Sequence, residues 1–142
     1  KKSKKLKGIL ICLLILPKCC IIKQVHVKIR RKNSLSKELL NIEEIKKCIF
    51  HKNIVWTKHC LNRINQRNIL ILDVKQAISN GRIIEYYYED YPYPSCLIVG
   101  KSKNGDTIHI VCGMNNNLLY IITAYYPDSK EWKEDMKTRR GV

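Results

Sequence analysis

Hydrophobic and polar positions along this chain change period near its middle. Before Gly81 the apolar residues recur at helical spacing, and after it they alternate or run together as strands do. Leu39, Leu40, Ile42 and Ile45 fit an amphipathic helix that Ser34 or Ser36 caps and that runs through about Ile49. Thr57 is the next N-cap, opening a short helix of about three turns within Trp56 to Ile69. Cys60, Leu61 and Ile64 take its core-facing side. Asp73 caps a third helix with Val74, Ala77 and Ile78 turned inward, and Gly81 is its left-handed stop. Four strands follow: Arg82 to Tyr88, Cys96 to Gly100, Thr107 to Cys112 and Leu118 to Tyr126. Tyr91-Pro92-Tyr93-Pro94, Asn104-Gly105-Asp106 and Asn115-Asn116-Asn117 supply the turns between them. Pro127-Asp128 stops the last strand, and Ser129 to Arg140 form a charged C-terminal helix or tail. Helices first and then an antiparallel meander make an α+β fold, two or three helices packed on a four-stranded antiparallel sheet.

Residues 1–35 read differently from the rest. A basic run precedes the apolar stretch Gly8 to Leu16, and Pro17-Lys18 interrupts it. The pattern copies the first two regions of a secretory signal, yet no small-residue cleavage site follows, and the stretch is too short for an ordinary membrane span. We read 1–35 as an extension outside the domain and 36–142 as a single α+β domain.

Charge then narrows the partners. The formal net charge is +15, with 27 basic and 12 acidic residues. That balance favours a polyanion, whether nucleic acid, an anionic membrane surface or an acidic protein. Five of the 27 basic residues fall in the first seven positions, and the remainder still carries well over +8, so the domain itself reads as basic. The seven cysteines form no Cys-x-x-Cys pair, which argues against a zinc site or a disulfide framework. They read as small apolar fillers in a reduced, cytoplasmic protein.

Candidate chemistry centres on the second helix. Positions four apart share a helix face, so His59, Arg63 and Arg67 form one polar stripe. An imidazole in line with two guanidiniums sets a proton donor or acceptor beside groups that grip phosphate oxygens in a fork. A solvated helix face is the alternative reading. His109 alternates with Ile108 and Ile110, so it points away from the helices, where a cross-strand structural role outweighs catalysis. Glu85 is read as an ion pair with an arginine of the stripe, or else as a general base. Tyr86, Tyr88, Tyr91, Tyr93, Tyr125 and Tyr126 offer stacking faces for unpaired bases, although core packing is the commoner use of strand aromatics. No phosphate loop, dinucleotide-binding glycine pattern, zinc-protease helix or nucleophile elbow is present, which excludes the commonest kinase, dehydrogenase and hydrolase designs.

Taken in order, these residues are familiar. Ile54-Val55-Trp56-Thr57-Lys58-His59 with Arg63, Arg67 and Ile69, then Asp73-Val74 and Gly81-Arg82-Ile83-Ile84-Glu85, resemble the domain-of-unknown-function family 4258. The likeness continues through Tyr93 to Gly100, His109-Ile110-Val111 and Ile121 to Asp128 as far as Trp132, over roughly residues 50–140. Members of that family look like relatives of the small RelE-like and BrnT-like ribonuclease toxins. The resemblance implies a RelE-like fold and metal-free RNA cleavage, in which the ribose 2′-hydroxyl attacks the neighbouring phosphate. It implies no cofactor and no metal, RNA as substrate, and an acidic or zinc-ribbon antitoxin protein as partner; a membrane partner is not implied. On this reading His59 is the general acid or base, with Glu85 as the alternative base and Tyr125 orienting the substrate. Lys58, Arg63, Arg67 and Arg82 hold the phosphates. Binding of RNA or protein without catalysis is the competing expectation.

Overall fold

The computed structural model describes residues 40–141. The basic and apolar extension, the caps expected at Ser34 and Ser36, and Leu39 lie outside the described residues. Three helices and five strands follow one another: α1 (Ile42–Phe50), β1 (Ile54–Trp56), α2 (Lys58–Gln66), α3 (Ile71–Ser79), β2 (Arg82–Tyr87), β3 (Ser95–Lys101), β4 (Thr107–Asn115) and β5 (Leu118–Tyr125). The sheet order is β1-β5-β4-β3-β2, with β1 parallel to β5 and every other pairing antiparallel.

The expected four-stranded meander is therefore part of a five-stranded mixed sheet. β1 carries no alternation to read, because it is only three residues long, and its partner Leu119–Ile121 lies some way down the chain. A parallel pair needs a long crossover, and here α2, α3 and the meander supply it. All three helices lie on one face of the sheet. Ile45, Cys48, Cys60, Ile64, Val74, Ala77 and Ile78 from the helices meet Cys96, Ile98, Ile108, Ile110, Cys112, Leu119, Ile121 and Ala124 from the strands in a continuous core. Cys48, Cys60, Cys96 and Cys112 are free thiols buried there as small apolar side chains.

The helix termini show where local chemistry is and is not decisive. Thr57 caps α2 as expected, its Oγ1 accepting from the Cys60 amide at 3.1 Å. Helix α1 starts at Ile42, with the Asn41 side chain accepting from the Glu43 amide at 2.9 Å. Asp73 is no cap. Helix α3 already begins at Ile71, and the largely buried Asp73 instead accepts from the backbone N–H of Lys103 at 3.2 Å, tying the β3–β4 hairpin to the helix. Gly81 is not left-handed either. A Cβ there would lie 2.4 Å from the Ala77 carbonyl oxygen, and one at Gly100 only 1.8 Å from it, so both glycines let α3 sit directly on the sheet. Leu61, expected inward, is 38% exposed, one residue round the helix from the buried Cys60.

The β3–β4 turn places Gly105 at φ 90°, and the β4–β5 turn has Asn116 and Asn117 at φ 49° and 59°, the left-handed pair that fits a tight hairpin. Residues 127–141 form neither a helix nor a strand. They fold into an irregular strap joined by one β-bridge, Trp132 to Arg139, and they cover the sheet face opposite the helices. Among the described residues no helix is long and apolar enough to cross a membrane.

Candidate functional site

Helix α2 builds the first candidate. With Cys60 and Ile64 buried against β5, the half-buried positions His59 and Arg63 run along its flank, and Arg67 caps the C-terminal end. Beyond Ile121 the edge of β5 has no β1 residue beside it. There Arg67 takes over, its Nη1 donating to the Ala124 carbonyl at 3.1 Å. Arg63 Nη1 donates to Gln66 Oε1 at 3.3 Å. His59 has no hydrogen bond or ion pair among the described residues, and none of the ion pairs there involves the stripe. Burial, and next the charge of Arg63, lower the pKa of Arg67, while the nearby Tyr125 phenol and Cys60 thiol favour its charge. Burial also pushes the Cys60 thiol up to about 11, so it is an inert filler behind the stripe rather than a nucleophile.

The charge is more local than the whole-chain total implies. Residues 36–142 carry 16 basic and 12 acidic side chains, a net of +4, so most of the +15 belongs to the extension. The domain is not uniformly basic. Residues 73–142 hold nine of each sign. From 45 to 72 there are six cations (Lys46, Lys47, Lys52, Lys58, Arg63 and Arg67) and no carboxylate. Lys46 and Lys47 pair with Glu43 and Glu44 one turn earlier on α1, so the cations of this stretch without a carboxylate partner among the described residues are Lys52, Lys58, Arg63 and Arg67, three of them on α2 and its C-terminal cap beside His59.

A second cluster lies on the opposite sheet face, under the strap. Glu85 does form an ion pair, though with Arg139 rather than an arginine of the stripe. Arg139 Nε donates to Glu85 Oε1 at 2.6 Å and Nη2 to Oε2 at 3.0 Å, and the Tyr87 hydroxyl donates to Oε2 at 2.5 Å. His109 faces away from the helices, as its alternation required, but it is 0% exposed because the strap covers it. Its Nε2 lies 2.7 Å from the Met136 carbonyl oxygen and its Nδ1 3.3 Å from the Tyr125 hydroxyl. The fully buried Trp132 ring meets His109 edge-on at 4.4 Å, and the Arg139 guanidinium lies over that indole at 4.4 Å. Desolvation lowers the pKa of His109, against the opposing pull of the Met136 bond, so a neutral ring donates Nε2–H to that carbonyl. Burial, with the Glu85 bond and charge behind it, raises the Tyr87 phenol strongly.

The structure thus divides the sequence candidates. His59, Arg63, Arg67 and Lys58 share α2, and Tyr125 is close enough to Arg67 to act on its charge. Glu85 and Tyr125 share the covered face with His109, which the sequence marks as structural. Arg82 joins neither cluster. It lies on β2, three strand spacings or about 14 Å from β5, in a cavity of about 410 Å³ with Lys101, Lys137 and Glu134. The tyrosines are mostly spent on one another: Tyr86 stacks on Tyr88 with ring centres 5.4 Å apart, and Tyr93 tilts against Tyr120 at 6.2 Å. Sequence reasoning gave no role to Tyr87 or Arg139, and the charged tail around Arg139 has no periodicity that would have marked it as a partner of the sheet. Among the described residues no group of three or more His, Cys, Asp or Glu side chains could hold a metal ion.

A family model described as Domain of unknown function (DUF4258) matches residues 56–126, half of the chain. The match spans α2 and every strand residue of the covered cluster, and it ends before the strap. No curated protein and no solved structure matches the chain.

Proposed function

We propose that this chain, which belongs to the DUF4258 family, is a metal-independent endoribonuclease of the RelE-like toxin type that grips RNA on the flank of α2. The single observation that carries the reading is the carboxylate-free stretch 45–72, in which His59 stands in line with Arg63 and Arg67 and has no partner of its own among the described residues. Arg63, Arg67 and Lys58 neutralise phosphates, and the guanidiniums also stabilise the charge that gathers on phosphorus as the 2′-oxygen attacks. His59 moves the proton. Tyr125, next to Arg67, orients the strand. An antitoxin suited to this surface brings carboxylates to the α2 flank.

Binding without cleavage is the second reading. It is favoured by the commitment of Glu85 to Arg139 and of Tyr125 to His109, which leaves His59 as the accessible proton-transfer group of the stripe. One experiment separates the two. In gel-based assays of a short single-stranded RNA without divalent metal, His59→Ala abolishes cleavage but keeps binding on the first reading. On the second, no cleavage is seen with any variant, while Arg63→Ala and Arg67→Ala still weaken salt-sensitive binding.

A further inference from the structure

We propose that the groove between the strap and the β2–β3 end of the sheet is a binding site for a small phosphate monoester, seated on Arg82 and Lys101 of the sheet and closed by Lys137 of the strap. The groove lies on the opposite face of the sheet from α2, at the other end of the strand order, so the site is independent of the RNA reading.

Strand register brings the cations together. Arg82 pairs with Val99 across β2 and β3, Val99 with His109 across β3 and β4, and Lys101 with Thr107 beside them. Paired residues share a face, as do positions two apart on one strand, so Arg82, Lys101 and Thr107 all point to the side of His109, which the strap covers. Strap residues Glu134 to Lys137 form the facing wall, and the groove between them measures about 410 Å³. That falls within the range of small-molecule sites, about 300–1,000 Å³. Lys101 is set in place before any ligand arrives. The Asn80 side chain accepts from its amide at 2.8 Å and donates to its carbonyl at 2.9 Å, and its Nζ donates to Thr107 Oγ1 at 2.8 Å. Arg82 is exposed, and neither it nor Lys137 makes a side-chain hydrogen bond or ion pair among the described residues.

The two walls differ in charge. The sheet contributes Arg82 and Lys101 and no carboxylate, whereas the strap contributes Lys137, Glu134 and Asp135. Asp135 is already committed. It accepts from the backbone amides of Lys137 and Thr138, each at 2.9 Å, and from the Thr138 hydroxyl at 2.7 Å. These bonds, the Lys137 amide first, hold its carboxyl at about 2. Three cations therefore face one uncommitted carboxylate, Glu134. A phosphate monoester brings a charge of about −1.5 to −2 and three strong acceptor oxygens. A phosphodiester carries a single charge and matches the lining less well. Arg82 offers the phosphate a guanidinium fork and Lys101 a point charge, both from the cationic wall. Glu134, on the facing wall, accepts from hydroxyls on the organic part of the ligand. A ligand held in this way ties the strap to the sheet through Lys137.

Calorimetric titration of the full chain at fixed ionic strength tests this, with inorganic phosphate and ribose 5-phosphate as probes. Ribose 5-phosphate is expected to bind about tenfold more tightly than inorganic phosphate, the effect of one added hydrogen bond to a charged group. Glu134→Ala should remove that preference and leave inorganic phosphate bound. Arg82→Gln and Lys101→Gln change exposed side chains, so both variants should keep the parent circular dichroism, and each should weaken both probes about tenfold. Saturating ribose 5-phosphate should also raise the thermal midpoint of the parent, and not that of Arg82→Gln. Arg63→Gln, on the other face, should leave both affinities unchanged. Absence of binding at millimolar concentrations of either probe overturns the proposal. So does affinity that falls in Arg63→Gln and holds in Arg82→Gln, because the anion then sits on the α2 flank. Displacement of ribose 5-phosphate by a short RNA without a terminal phosphate overturns it as well, since the groove is then part of an RNA surface.

Discussion

The two faces of the sheet hold the same kinds of groups in opposite states. On the α2 flank, an imidazole and two guanidiniums come from one helix and have few internal obligations. Under the strap, an imidazole, a carboxylate, two phenols and a guanidinium come from β2, β4, β5 and the C-terminal segment, and the structure joins them to one another. A group offered to a ligand contributes little to folding, whereas a group buried in a satisfied network is costly to remove. Function and stability should therefore respond to mutation in opposite order on the two faces.

The largest difference is expected at Trp132. Truncating this fully buried indole to alanine should cost about 3–5 kcal/mol. His59→Ala on the half-exposed flank should stay within about 0.5 kcal/mol. Urea denaturation of both variants makes the comparison, and equal losses would mean that the strap adds nothing to the fold.

Next in size is a pH effect confined to the covered face. The pKa of His109 is lowered in the folded chain, so as pH falls the unfolded chain takes up its proton first. Folding stability from this group is thus whole above the ordinary histidine range. It is lost at up to about 1.4 kcal/mol per pH unit as pH drops from about 6.5 toward the folded value. Thermal unfolding between neutral and mildly acidic pH should show that loss in the parent and a shallower one in His109→Gln. An unchanged slope would mean that the imidazole is solvated, and the strap with it open.

How much of this was legible follows from the range of each signal. The stripe could be read because four-residue spacing on one helix is local, as could Thr57, whose oxygen bonds an amide three residues on. The side of the sheet that His109 faces was legible from alternation. That it is buried was not, because the cover is a charged segment without period whose indole and guanidinium dock by tertiary contact. β1 was missed for a related reason, being too short to alternate and paired with a strand far along the sequence. Gly81 was read for the right residue and the wrong property, since the chain there needs missing volume rather than a left-handed turn. The domain is basic as read, at +4 over residues 36–142, but where that charge sits was not legible. Charge counted over the chain hides a neutral C-terminal half beside a cationic helix.

A smaller effect tests whether α2 is held independently of what it binds. Thr57→Ala removes the oxygen that accepts from the Cys60 amide and should cost about 1 kcal/mol. Thr57→Asn should restore most of it. If the flank is the RNA surface, Thr57→Ala loses affinity only at temperatures where the helix frays, which far-ultraviolet circular dichroism can follow alongside binding.

The smallest effects separate the two arginines of the stripe. Arg63 contacts Gln66 on its own helix, so Arg63→Ala should change stability by less than about 0.5 kcal/mol. Arg67 also holds the Ala124 carbonyl at the open edge of β5, a charge-assisted bond whose loss adds about 1–2 kcal/mol. Toward RNA the two should be nearly alike. Each substitution removes one phosphate contact and lowers the slope of log affinity against log salt by about 0.7 for a single strand. If stability separates the pair while the salt slopes coincide, Arg67 serves the fold and the ligand at once. If the slopes do not change, the cationic flank is a solvated helix face and the α2 reading fails.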